Sequence, residues 1–163
     1  MIARLVSGGQ TGVDRAALDA AIELGIPCGG WCPHGRKAED GTIPDRYPLI
    51  ETWSSDYSQR TCWNVRDSDA TLILAWGELT GGTRLTADEC RKVGKPYVVV
   101  DLTGDVDIAE AAWTARDCIA ENVAGDGTLN VAGPRESEAP GVYDRTRAFL
   151  RAVLTLAMGA DSR

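Results

Sequence analysis

The chain reads as an α/β protein built on a doubly wound, mainly parallel sheet. Three observations predict this. Short apolar runs alternate with amphipathic segments along the whole length. Two of the runs, "DATLILAW" and "YVVVD", are continuously apolar, the pattern of strands buried on both faces. Helical segments stand between successive strands, and helices of this length imply right-handed crossovers joining parallel strands.

Each element has its own signal. Ile2 to Val6 is a short apolar strand, and Val13 to Leu24 repeats apolar residues at Val13, Ala16, Ala17, Ala20, Ala21 and Leu24, one face of a helix. Pro27 to Cys32 and Tyr47 to Thr52 read as short strands. The stretch between them, "PHGRKAEDGTIPDR", has two prolines, two glycines and no periodicity. Such a charged loop is expected to be held by a ligand or a neighbouring subunit rather than by burial. Tyr57 to Asp67 reads as a helix. The strand "DATLILAW" follows, is broken by "ELTGGT", and leads to a helix from about Leu85 to Val93 that stops at Gly94, Lys95 and Pro96. "YVVVD", a helix from Ile108 to Asn122, the strand "TLNVA", the loop "GPRESEAPG" and a helix from about Val142 to Met158 complete the chain. No repeat or linker interrupts it, so residues 1–163 are expected to form a single domain. The strand order expected puts the first strand in the middle beside "TLILAW". The loops "SGGQTG" and "GELTGGT" would then face each other across one crevice, where doubly wound sheets bind ligands.

Composition narrows the function classes. A formal net charge of -7 argues against a nucleic-acid binder, though not against a small anionic ligand in a local basic pocket. No apolar run approaches the roughly 20 residues of a membrane span, and no signal-peptide layout is present, so no membrane association is expected. The five scattered cysteines suit reduced thiols and a cytoplasmic protein. Cys28, Cys32 and His34 lack a fourth ligand at zinc spacing, so no metal site is expected. The single histidine and the absence of a nucleophile elbow exclude a serine-hydrolase arrangement.

The first loop carries the chemistry. Ser7, Gly8, Gly9, Gln10, Thr11 and Gly12 offer backbone N–H groups at a helix N-terminus, which suits an anion, and Thr11 and Asp14 have capping-box spacing. The motif matches neither GxxxxGK[ST] nor GxGxxG. Gly81, Gly82 and Thr83 repeat the logic before a second helix. Arg15 follows the first loop, and Arg36, Lys37, Arg84 and Arg135 stand in loops where guanidinium or ammonium groups suit oxyanions, Arg36 through two N–H groups. Arg60 and Asn64, four apart, share a helix face with Asp67. Trp31 and Trp76 end strands near the crevice, whereas Trp53, Trp63 and Trp113 are expected in the core or in subunit contacts.

Together "SGGQTGVDRAALDAA", "GWCPHGRKAEDGTIPDRYPL", "RTCWNVRDSDATLIL", "GGTRLT", "GKP" and "LNVAGPRES" resemble the molybdenum cofactor carrier proteins, a branch of the lysine-decarboxylase-like nucleotide-binding superfamily. The resemblance covers nearly the whole chain. It implies a Rossmann-like fold, a homo-oligomer such as a dimer or tetramer, and binding of the molybdenum cofactor (molybdopterin), a pterin that carries a phosphate and a molybdenum centre. On that expectation the two glycine-rich loops hold the phosphate, with Arg36, Lys37, Arg84 and Arg135 neutralising charge and Trp31 or Trp76 near the ring, while Arg15 and Thr86 are further binding residues. Related phosphoribohydrolases use PGGxGTxxE. Here Gly82 and Thr83 match its GT, but Thr86 replaces the glutamate, which argues against glycosidic hydrolysis unless Glu78, Asp88 or Glu89 substitutes. A binding protein is therefore expected, with a phosphoribohydrolase-like enzyme or a nucleotide sensor as alternatives.

Overall fold

A computed structural model describes residues 2–159. Five parallel strands make the central sheet: β1 (Arg4–Val6), β2 (Cys28–Gly29), β7 (Ala70–Ala75), β8 (Tyr97–Asp101) and β9 (Thr128–Ala132). Five helices alternate with them, α1 (Val13–Glu23), α2 (Tyr57–Arg66), α3 (Gly81–Val93), α4 (Ile108–Asn122) and α5 (Val142–Gly159). Helices α1 and α4 pack on α5, and α2 packs on α3. The α/β, doubly wound, Rossmann-like reading holds. Among the described residues no helix is long and apolar enough to cross a membrane.

The strand order is β2-β1-β9-β7-β8, so the expected neighbourhood of β1 and β7 is wrong. The last strand enters between them, with Leu129 opposite Leu5 on one side and Ala70 on the other. Side chains specify that slot. Ser7 Oγ donates to Val131 O at 2.6 Å, and the Asn130 amide donates to Thr71 Oγ1 at 3.3 Å, so a side-chain hydrogen bond ties β9 to its surroundings on each flank. "YVVVD" was expected to be buried on both faces, but β8 is the sheet edge with β7 as its one sheet neighbour, and Val99 stays 40% exposed.

The main core joins Leu5, Leu72, Leu74, Leu129 and Val131 of the sheet to Phe149, Leu150, Val153 and Leu154 of α5. Ala16, Ala17, Ala20 and Ala21 are fully buried, and their small side chains let α1 lie close to the sheet. A second cluster of Leu18, Cys32, Ala38, Ile43, Tyr47 and Leu49 lies under residues 33–46. That loop, expected to be held by a ligand or a neighbouring subunit rather than by burial, is packed on its own chain. It forms a 3-10 turn (His34–Arg36) and an antiparallel hairpin of β4 (Lys37–Ala38) and β5 (Gly41–Thr42), while β3 (Trp31–Cys32) and β6 (Ile50–Glu51) pair beside it. Arg36 ties the loop together.

Candidate functional site

A narrow polar cleft lies at the carboxyl ends of β1 and β9. Four segments build it. Gly8, Gln10 and Asp14 come from the first loop and α1, and Arg60, Thr61 and Asn64 from α2. Gly82, Thr83 and Thr86 come from α3, and Asn130 to Arg135 with Glu138 come from β9 and the loop beyond it. The two glycine-rich loops do meet at one cleft, with the β9 loop between them.

The first loop is organised by side chains more than expected. The Ser7 N–H donates to Gly29 O at 3.0 Å, that of Gln10 to Asp14 Oδ2 at 3.2 Å, and that of Thr11 to Gln10 Oε1 at 3.0 Å. Three of the six amides proposed as an anion cradle are thus spent inside the protein. No capping box forms, because Asp14 reaches back to Gln10 rather than to Thr11, and Gly12 caps α1 without a side-chain bond. Gly8 leaves the room that Arg60 occupies: a Cβ there would stand 2.0 Å from Arg60 Nη1, and the guanidinium would have to shift. That nitrogen donates to Gly8 O at 2.8 Å and to Asp14 Oδ2 at 3.1 Å. Burial pushes the Asp14 carboxyl up, and the Arg60 charge offsets this only in part.

Helix α3 starts at Gly81, four residues before the expected start, so Gly82 and Thr83 belong to its first turn. Its N-cap, Thr80, makes no side-chain bond, in contrast to the aspartates that cap α2 and α4. The first amides of α3 therefore remain unanswered by a cap at the cleft wall. Thr86 lines the cleft too, its hydroxyl donating to Gly82 O at 2.9 Å.

Positive charge gathers around Tyr57, and two of the three cations, Arg60 and Arg135, line the cleft. Lys37 Nζ, Arg60 and Arg135 lie 4.9, 5.5 and 5.2 Å from the centroid of one ring, Tyr57. Arg135 also pairs with Glu138 at 3.4 Å.

Other expected site residues lie elsewhere. Arg36 donates to Ile43 O (3.1 Å), Leu49 O (3.3 Å), Pro44 O (2.8 Å) and Tyr47 O (3.0 Å), so its guanidinium is consumed by its own loop and does not reach the cleft. Arg84 is exposed and lies 3.9 Å from Asp88. Thr11, Gly12 and Arg15 face a separate depression beside Tyr47 and Tyr143, and Arg15 is held by Asp40 at 2.5 Å. Gly9 is packed on Leu49 and Ile43. Trp76 borders a smaller adjoining pocket that shares Thr83, Pro134 and Glu138 with the cleft. Trp31 donates from Nε1 to Asp67 and meets Trp63 edge-on at 4.7 Å, outside the cleft. Trp53, 86% exposed, is not in the core.

Asp14, Thr61, Asn130 and Glu138 were not anticipated, and Arg60 and Asn64 were noticed only for their spacing. One turn apart on α2, those two are the available signal: Arg60 enters the cleft, while Asn64 exchanges two bonds with the Trp31 backbone at 2.8 and 3.0 Å and locks α2 against β3.

The described residues hold no group of three His, Cys, Asp or Glu side chains arranged for a metal ion. No curated protein matches the chain. The crystal structure of a protein named "putative molybdenum carrier protein", from Syntrophus aciditrophicus SB, is similar at 44% identity, covering 94% of this chain and 95% of that one, with a TM-score of 0.89. A family model described as the circularly permutated YpsA SLOG family matches residues 5–154. The chain belongs to the circularly permutated YpsA SLOG family.

Proposed function

We propose that the cleft binds a phosphorylated pterin or nucleotide-like anion and that the protein is a carrier of the molybdenum cofactor. The observation that carries this reading is the convergence of Lys37, Arg60 and Arg135 on Tyr57. Arg60 and Arg135 are each paired with one carboxylate, Asp14 and Glu138, and Lys37 adds a third cation beside the same ring, so the local balance favours an anion. The uncapped α3 N-terminus adds partial positive charge on the opposite wall. The similar crystal structure is that of a protein named as a molybdenum carrier, which supports this reading. Within this reading Gly8, Gln10, Gly81, Gly82, Thr83, Thr86, Lys37 and Arg135 keep the ligand roles expected of them, Trp76 lies near the ring end, and Arg60 joins them. The free thiols suit a reducing cytoplasm, and exposed Trp53 and Trp113 suit assembly into a dimer or tetramer.

Isothermal titration with AMP and with a phosphorylated pterin tests the proposal. Wild type should bind at least one of them. The double variant Lys37→Ala/Arg135→Ala should bind it at least tenfold more weakly, about 1.4 kcal/mol, with a shallower salt dependence. If wild type binds neither compound, the proposal fails.

One observation favours a second reading, a hydrolase acting on nucleoside monophosphates. The motif glutamate is replaced, but Asp14 and Glu138 still place carboxylates in the cleft. Release of free base from AMP, abolished in Asp14→Asn, would establish it over the carrier. No release from a panel of nucleoside monophosphates would dismiss it.

A further inference from the structure

The side chain of Gln10 is buried, 4% exposed, and lines the cleft. Its Oε1 accepts two main-chain N–H groups, from Thr11 at 3.0 Å and from Glu39, at the tip of the β4–β5 hairpin, at 2.9 Å. Neither donor can accept. Turning the carboxamide over would set its NH₂ against both of them, so its orientation is fixed by the fold. The consequence is at the other end of the group. Nε2 is buried and has no hydrogen-bond partner among the described residues. Buried donors are almost always paired in folded proteins. One that is locked in place on a cleft wall marks where an acceptor arrives with a ligand.

The surroundings say what kind of acceptor. Asp14 Oδ2 receives both the Gln10 backbone N–H at 3.2 Å and Arg60 Nη1 at 3.1 Å, so Arg60 and Gln10 share one corner of the cleft. The two carboxylates among the residues lining the cleft are each answered by a guanidinium, Asp14 by Arg60 and Glu138 by Arg135, which leaves no unpaired negative charge to repel an anion. The bonds Arg60 makes among the described residues run from Nη1, so the rest of its guanidinium keeps N–H groups for a ligand in the cleft that Gln10 also lines. A neutral carbonyl would satisfy Nε2 alone, whereas a tetrahedral oxyanion satisfies Nε2 and the guanidinium together.

We propose that Gln10 is a specificity-determining residue of the cleft, whose hairpin-locked Nε2 donates to an oxygen of a tetrahedral oxyanion shared with Arg60. The oxyanion is either the phosphate of a monoester or a free inorganic anion such as phosphate or molybdate. This rests on the anion-binding reading given above and adds the atom that recognises the anion.

Gln10→Glu tests it, because the shape is kept and one carboxylate oxygen can still accept from Thr11 and Glu39, while the other replaces a donor by a charged acceptor. Titrations at pH 8 with AMP, inorganic phosphate and molybdate are compared for wild type and variant, with far-UV circular dichroism to check the fold. The expected result is an AMP affinity at least 30-fold lower in the variant. The ratio of the two affinities should return toward one as the pH falls and the new carboxyl regains a proton to donate, the ligand's own protonation cancelling in the ratio. Competition of phosphate or molybdate with AMP in wild type would identify a free oxyanion as sufficient; binding of AMP alone would assign the monoester. A readout without any substitution is the side-chain ¹⁵N–¹H signal pair of Gln10, which should shift on adding AMP to wild-type protein. If wild type binds AMP while Gln10→Glu binds it equally well, or while the Gln10 signals stay unmoved, this inference alone is overturned. If wild type binds none of the three probes, this inference fails; the anion-binding reading falls with it only if the phosphorylated pterin is not bound either.

Discussion

Arg36 holds four carbonyl oxygens of residues 43–49 with one planar group, and it does so at a positive φ of 52°, uncommon for a residue other than glycine. Lysine keeps the charge but has a single nitrogen, so Arg36→Lys should lower stability by about 1–3 kcal/mol through lost hydrogen bonds and strand several carbonyls. Urea unfolding measures it, and a midpoint within error of wild type would show the network to be dispensable. Gly9 behaves alike. Its φ is 78°, and an added Cβ would meet Leu49 Cδ1 at 2.5 Å, so Gly9→Val should damage the fold rather than ligand binding alone. A lower melting temperature in the ligand-free variant checks this. The same two residues show what can be read at this scale. Residue type told that guanidinium groups and glycines matter here, but not where they point. Arg36 stands in a loop and was taken for a ligand group, yet it serves the backbone. Arg60 stands on a helix and looked like surface, yet Gly8 is shaped around it.

At the scale of the element, the β4–β5 hairpin is the clamp of the site. Glu39 accepts from the Thr11 hydroxyl, the Ser137 hydroxyl and the Ser137 N–H, and Asp40 takes both Arg15 nitrogens at 2.5 and 2.7 Å. Partial burial pushes the Glu39 carboxyl up, but the bonds from Ser137 and Thr11 outweigh it and hold it below its ordinary value. The Arg15 bond likewise holds Asp40 low. Groups depressed in the folded state stabilise it above their unfolded pKa, roughly 4 to 4.5, and that contribution is lost as the pH falls through the folded values. Acidification below about pH 4 should therefore loosen residues 37–42 before the sheet unfolds. Amide exchange of the hairpin is the measurement, and Glu39→Gln/Asp40→Asn should remove the pH dependence. Equal acid loosening in that variant would assign it to other groups. The hairpin could not be read beforehand because two-residue strands are too short to show a period of two, and only Ala38 and Ile43 mark its buried side. Long elements were legible: α4 and β9 have the expected bounds, and α1, α2 and α5 differ by one residue at the end. Helix α3 starts early because Gly81 and Gly82, poor helix formers, are recruited to its first turn, where tertiary position overrides propensity.

For the whole molecule, pairing partners rather than elements decide the architecture, and periodicity does not encode partners. "TLNVA", with a polar residue at its centre, looks like a minor strand. It is the middle of the sheet, and the β1 to β9 contacts span more than a hundred residues. We therefore expect the chain to fold as one cooperative unit, since neither β1–β2 nor β7–β8 can join a common sheet until β9 arrives from near the C-terminus. The closure entropy of that long loop is incurred before its contacts form, which predicts slow refolding. Trp31, Trp53 and Trp63 report one side of β9, and Trp76 and Trp113 the other. Their combined fluorescence should therefore lose its native signal at the same urea concentration as far-UV circular dichroism. A chain ending at Gly127, which keeps all four other strands of the sheet, should show no cooperative transition. Separate transitions for the two probes, or a sigmoidal melt of the shortened chain, would mean that the two flanks of the sheet are independent domains and that β9 only bridges them.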